Sequence, residues 1–460
     1  MGGDFSCTKE AGNLAENILK FVAFSLIIAA VYHVVPRSLR KCVLLVANAV
    51  FYVSISTLAG GGVAFFADIF LSWLLAKLLA RNRNRIALTV CITLAVLPLV
   101  LTKYAPFIPS TLFAPESLAL VAMAGISFYT LRIVSCYADI YAGKIDDAPG
   151  FADYALYVSL FTQILSGPIM RVKDFTGQVD SAGFDSGRAS QGAFLILSGL
   201  VKKLVVANMA ASYVDSVHAR ISTLPALCLW MGAFLYAVQI YADFSGYSDI
   251  SNGVMLLLGF RSTENFSTPY FAQGFGDFWR RWHISLSSWL RDYVYIPLGG
   301  SRCSGVRHFV NLLATFAVSG LWHGTGGNFL FWGLCHGLLV WLSSKLKLIR
   351  NPAITFLLVM LLWIPFRASG MSQALTYYAR MFAGLSLSTS AITSMIVLFT
   401  GDNTCVLYAC VLFAGILAMF LHDMAAFMGK DCPFAFTMLF TVMVILFGRM
   451  GESAFIYARF

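Results

Sequence analysis

An all-α integral membrane protein is predicted here: a polytopic bundle of about eleven to thirteen transmembrane or re-entrant helices. Three features of the 460-residue sequence predict it. The chain is 59% hydrophobic and only 12% charged, a balance unlike that of soluble domains. Apolar runs long enough to cross about 30 Å of hydrocarbon recur from one end to the other. Lys and Arg gather in the short links between those runs, as they do in cytoplasmic loops.

In chain order the spans fall near 17–35, 42–59, 63–80, 86–102, 117–138, 190–212, 223–242, 309–322, 328–344, 352–366, 389–400, 404–421 and 433–449. Several are short enough to be re-entrant or tilted. The amino terminus "MGGDFSCTKEAGNLAENILK" carries Asp4, Glu10 and Glu16 and lacks the basic lead and small-residue cleavage site of a secretory signal. The first span is therefore expected to stay. "MGGDFS" also fits the myristoylation pattern, but so short a pattern recurs by chance and a polytopic chain needs no lipid anchor.

Arg37, Arg40 and Lys41 follow the first span and Arg81, Arg83 and Arg85 the third, while the "GGGV" turn between them is uncharged. That parity puts the amino terminus outside, "RNRNR" inside, "APFIPSTLFAPE" outside and "AGKIDDAPG" inside. The link with Lys345, Lys347 and Arg350 joins the cytoplasmic set. The net charge of +10 thus reads as topology and contact with membrane lipid. Dispersed among spans and accompanied by no nucleic-acid motif, it argues against nucleic acid as a partner.

Of ten cysteines, Cys42, Cys91, Cys136, Cys228, Cys335 and Cys410 lie in apolar runs and no C-x-x-C pair occurs, so they read as small buried hydrophobes. Neither an internal repeat nor a long linker divides the chain. A single integral-membrane domain, 1–460, is the expected organisation.

The informative residues are polar ones that a membrane chain could have avoided. They concentrate between 127 and 337. "DFWRRWHISLSSWLRDYVYIPLGGSR", Asp277–Arg302, reads at helical spacing as one amphipathic helix. Trp279, Trp282, Leu286, Trp289, Leu290 and Tyr293 form its stripe, and His283 lies at the edge beside Arg280 and Arg291. Asp277 is placed to cap the start and "PLGG" to stop it. Such a helix either lies flat among headgroups or lines a cavity, presenting Arg280, His283 and Arg291 to an anionic substrate.

In "SGLWHGTGGNFLFWGLCHG", His323 follows an apolar run and Gly324, Gly326 and Gly327 break the helix beside it. Unwound backbone at membrane depth lines protein or a wet cavity. An imidazole there serves either as a structural donor or as the base that takes a proton from a hydroxyl. His336 stays nearer a structural role. Asp243 and Asp249, in "YADFSGYSD", either partner the arginines of the next segment or polarise a catalytic histidine. Lys202 and Lys203 look like a helix-end anchor pair. No H-E-x-x-H, nucleotide-binding glycine loop or Cys/His cluster is present, so no metal site is expected.

"YADFSGYSDI", "NFSTPY", the Asp277–Arg302 segment and "GLWHG…FWGLCHG", in that order, resemble the membrane-bound O-acyltransferase family, and more narrowly its bacterial alginate O-acetyltransferase branch. "SFYT", "SGPIMR" and the terminal "FIYARF" are similar to that branch too. One departure is Thr162 in "FTQILSGPI", where the branch commonly has proline. The resemblance is strongest over 120–366, which would be the acyltransferase core.

It implies helices ringed around a central tunnel in a bacterial inner (cytoplasmic) membrane, with His323 as the catalytic histidine and His283 as the second invariant polar position. It implies, further, a cytoplasmic thioester donor, acetyl-CoA, used as substrate with no bound cofactor. The acetyl group would pass to hydroxyls of an exported polysaccharide, with periplasmic partner proteins. Arg280, Arg291, Asp243 and Trp279 make up the expected substrate-binding set, and Arg302 joins the arginines facing the donor's phosphates. Three other readings stay open: a D-alanyl transferase of the teichoic acid type, a transporter with no acyl chemistry, and a non-catalytic scaffold.

Overall fold

A computed structural model describes residues 14–56, 59–104, 123–179, 181–400, 405–428 and 433–448. "MGGDFS", the "APFIPSTLFAPE" loop and "FIYARF" lie outside the described residues. Among the described residues the structure is helical, with one isolated antiparallel bridge, Phe266↔Trp282, and no strand. Among the described residues six helices are long and apolar enough to cross a membrane: Arg37–Ile55, Gly61–Arg81, Arg85–Tyr104, Ser186–Ala219, Ala226–Leu257 and Leu407–Phe427. Four shorter apolar helices, Ile18–Val34, Pro352–Arg367, Thr389–Phe399 and Ala435–Phe447, accompany them. The fold is that of an all-α polytopic membrane protein. The expected spans near 117–138, 309–322 and 328–344 correspond to Ile126–Tyr141, Gly305–His323 and Gly327–Lys345.

The chain divides into two compact units, one made of 22–193 and 251–264, the other of 1–21, 194–250 and 265–460. The first shows why these helices need lipid outside. Val46, Val50 and Val53 of Arg37–Ile55 are exposed, whereas its Asn48 is buried. Asn48 donates to Ser159 Oγ at 2.9 Å and accepts from the Phe161 N–H at 3.0 Å. Apolar out and hydrogen-bonded polar in is the pattern a bilayer demands. Arg132, from the "SFYTLR" stretch, is buried, and donates to the Tyr157 carbonyl and to Gln163 Oε1, each at 2.9 Å. Thr162, the position of the departure, accepts from Ser251 Oγ through its carbonyl at 2.7 Å.

The second unit holds every expected site residue. Its centre is a helical hairpin, Gly305–His323 and Gly327–Lys345. Gly320 faces the Phe329 carbonyl and Gly333 the Phe316 carbonyl so closely that a Cβ at either would collide with backbone. Small residues here let the two backbones touch. Ser304 caps the first helix, accepting from the Arg307 N–H. Asn351 caps the following helix, Pro352–Arg367, with proline at its first position.

Lys202 and Lys203 correct the expectation of an anchor pair. Both are buried, in a wider helical turn, Val201–Ala207, inserted in the long Ser186–Ala219 helix. Lys203 pairs with Asp243 at 2.5 Å and Lys202 with Asp249 at 2.8 Å. The two aspartates therefore hold lysines, not the arginines of the 277–302 segment. Tyr241 completes the group, donating to Asp423 at 2.6 Å. The cysteines are mixed: Cys91, Cys136 and Cys228 are buried, while Cys42 and Cys410 lie on exposed helix faces.

Candidate active site

The 277–302 segment is not one helix. Phe275–Arg281 ends at Trp282, which is extended (φ −103°, ψ 129°), and a second helix runs Ile284–Leu290. Between them His283 adopts left-handed backbone at φ 42°, a region that non-glycine residues rarely occupy. "NFSTPY" forces the break: the Ile284 N–H donates to the Asn265 carbonyl and the Ser267 N–H to the Arg281 carbonyl, both at 3.0 Å. Asn265 also accepts from Ser285 Oγ at 2.6 Å and donates to Ser248 Oγ at 3.1 Å. A helical wheel cannot register such a break, so the uninterrupted stripe is superseded. Asp277 sits in the first turn of its helix, not at its cap, and reaches back to accept from the Gln273 N–H at 3.0 Å.

The break turns His283 inward, where it is 1% exposed, with its ring edge-on to Phe244 at 4.6 Å and 6.4 Å from Trp322. His323 ends the Gly305–His323 helix, 2% exposed, with Trp322, Phe366 and Trp332 ring centroids at 4.8, 5.0 and 5.2 Å. Both histidines thus pack on the same indole, Trp322, within an otherwise aromatic enclosure. Trp279 faces this enclosure too and donates its Nε1–H to His336 Nδ1 at 3.2 Å. Trp332 lies 4.8 Å from His336. His336 and Trp332, unassigned from the sequence, are thereby part of the cluster. Their "FWGLCHG" motif was visible, but nothing in it tells an inward face from an outward one.

The remaining expected residues lie elsewhere. Asp243 is committed to Lys203. Arg291 is 62% exposed and pairs with the adjacent Asp292 at 2.8 Å. Arg280 is 77% exposed and lines a cleft of about 650 Å³ with Arg281, His308, Trp341 and Arg350. Arg281 is held by Asp277 at 3.0 Å and Arg350 by the Ser343 carbonyl at 2.8 Å. Arg280 reaches Asp277 only at 3.9 Å. The same short helix therefore offers Trp279 to His336 and Arg280 to the cleft. Among the described residues no group of three or more His, Cys, Asp or Glu side chains is placed to hold a metal ion.

The fold and the site together define a polytopic helical membrane protein with a cluster of buried imidazoles. The membrane-bound O-acyltransferase family model matches residues 141–357, which contain all of these groups. The chain is 39% identical over 269 residues to the probable alginate O-acetylase AlgI of Pseudomonas aeruginosa, a match covering 56% of this chain and 51% of the relative. It is 33% identical over 298 residues to the peptidoglycan O-acetyltransferase of Helicobacter pylori, covering 56% of each. With the teichoic acid D-alanyltransferase of Bacillus subtilis it shares 28% over 262 residues, 54% of this chain and 65% of that one. The chain spans about half the length of the first of these relatives.

Proposed function

We propose that this protein is an O-acetyltransferase of the cytoplasmic membrane that moves acetyl from acetyl-CoA to a hydroxyl of an exported polysaccharide. The observation that carries the reading is His323: a buried imidazole at a helix end, enclosed by aromatic rings, within the matched family region. In the proposed step His323 takes the proton of the acceptor hydroxyl as its oxygen attacks the thioester carbonyl. The C–S bond breaks, and His323 returns the proton to the departing thiolate. General-base catalysis of this kind contributes on the order of 10²–10⁴-fold. His283, held by its backbone against Phe244, orients the acceptor or the carbonyl.

The cleft beside Arg280 suits the donor's phosphates, which guanidinium groups bind in bidentate fashion. In this reading Trp279 walls the acyl chamber, Asp243 anchors the helix behind it, and Arg291 contacts headgroups or the donor from outside. Periplasmic proteins that accept or position the polysaccharide are the proposed partners.

Acetyl is favoured over D-alanyl because the acetyl-transferring relatives are 33–39% identical and the D-alanyl ones 28–30%. The test offers purified protein in proteoliposomes either [¹⁴C]acetyl-CoA or a D-alanyl carrier protein, with oligosaccharide acceptors. Label is expected on the oligosaccharide from acetyl-CoA alone. Transfer from the D-alanyl carrier alone, or flux of intact acceptor without transfer, overturns the reading.

A further inference from the structure

His336 is 0% exposed, and the proposed mechanism does not use it. Its Nδ1 faces the indole N–H of Trp279 at 3.2 Å. An indole nitrogen only donates, so Nδ1 must accept, and a ring whose Nδ1 accepts carries its single proton on Nε2. Trp279 thereby turns His336 into a donor at Nε2. That nitrogen is buried with no hydrogen-bond partner among the described residues.

A neighbour shares the condition: Trp332 Nε1 is buried and without a partner among the described residues. Trp332 lies between the histidines, 4.8 Å from His336 and 5.2 Å from His323 by ring centroids. Leaving one such donor unmet costs about 1–3 kcal/mol. Two such donors on adjoining rings make a group that asks for an acceptor atom.

We propose that His336, with Trp332 beside it, donates a hydrogen bond to the acyl carbonyl oxygen of the donor thioester. This deepens the acetyl-transfer reading and rests on it. As the hydroxyl attacks, the carbonyl π electrons move onto that oxygen, and the charge is met by Nε2–H and the indole N–H. When the C–S bond breaks, the electrons return and the oxygen leaves the donors as the ester carbonyl. No proton leaves His336 in the cycle, so His323 alone handles the proton. Donors aimed at developing charge act mainly in the transition state.

The test is steady-state acetyl transfer by His336→Phe, His336→Asn, His336→Gln and Trp279→Phe, each checked for wild-type thermal stability in detergent. His336→Phe keeps the ring without nitrogens, and Asn keeps an acceptor for Trp279 without the far donor. Gln places an amide N–H where Nε2 stood. The expected result is kcat lowered by about 10²–10³-fold in Phe and Asn with the donor KM within about threefold, and at least about tenfold recovery in Gln. Trp279→Phe should lower kcat with His336 still in place. Stable Phe and Asn variants with wild-type kcat, or a Gln variant no better than Asn, overturn the inference and leave the acetyl-transfer reading standing. A wild-type protein that transfers no acetyl overturns both.

Discussion

At the scale of single residues, His283 shows how backbone geometry sets what a side chain does. Its φ of 42° places it in a region that costs a residue with a Cβ about 1–2 kcal/mol and that asparagine tolerates better. The Asn265 pairing holds that backbone in place, and the imidazole is thereby set against Phe244. His283→Asn is expected to melt within a few degrees of wild type and to lose about tenfold or more in kcat. His283→Gly should be at least as stable as His283→Ala, since glycine relieves the left-handed position. Thermal melts and acetyl-transfer kinetics on the three variants check this. Full activity in His283→Asn would reduce the imidazole to packing. His323 stood out in the sequence as an imidazole closing an apolar run, and His283 as a histidine among arginines on an amphipathic segment. Their common neighbour, Trp322, did not, because ring contacts between distant segments leave no periodic mark.

At the scale of elements, the buried ion pairs explain a helix that departs from regular geometry. The wider turn Val201–Ala207 lies where Lys202 and Lys203 meet Asp249 and Asp243 of the Ala226–Leu257 helix. Removing one partner strands the other charge in an apolar interior, at a cost of about 3–5 kcal/mol. Lys203→Met should therefore lower the melting temperature sharply, while Lys203→Met with Asp243→Leu should recover most of it. A single variant as stable as wild type would show that the pair carries no structural weight.

The apolar runs announced the helices well, because a bilayer imposes length and hydropathy on every crossing; each expected span near 17–449 has a helix at its position. Irregularities were not legible. The wheel drawn through Trp279–Tyr293 assumed unbroken helical geometry, and the break at Trp282 and His283 depends on pairing with Asn265 and Ser267, a contact outside the helix itself. Likewise Lys202 and Lys203 resembled a helix-end anchor until their carboxylates, 47 and 40 residues on, came into view.

At the scale of the whole molecule, the proposed acetyl transfer draws on the "RRWHIS", "LWHG" and "FWGLCHG" segments, all within residues 141–357, with His323 handling the proton. In the proposed topology the basic links face the cytoplasm, among them the Lys345–Arg350 link, whose Arg350 lines the Arg280 cleft. Donor entry from the cytoplasm and dependence on His323 are therefore one claim. The most direct measurement supplies [¹⁴C]acetyl-CoA to the cytoplasmic face alone, then to the opposite face alone, of sealed oriented vesicles containing wild-type protein or His323→Ala. The account predicts labelled acceptor only with wild type and only from the cytoplasmic face, with His323→Ala lower by on the order of 10²–10⁴-fold at unchanged folding. Equal labelling by a stably folded His323→Ala, or labelling from the opposite face alone, would contradict it.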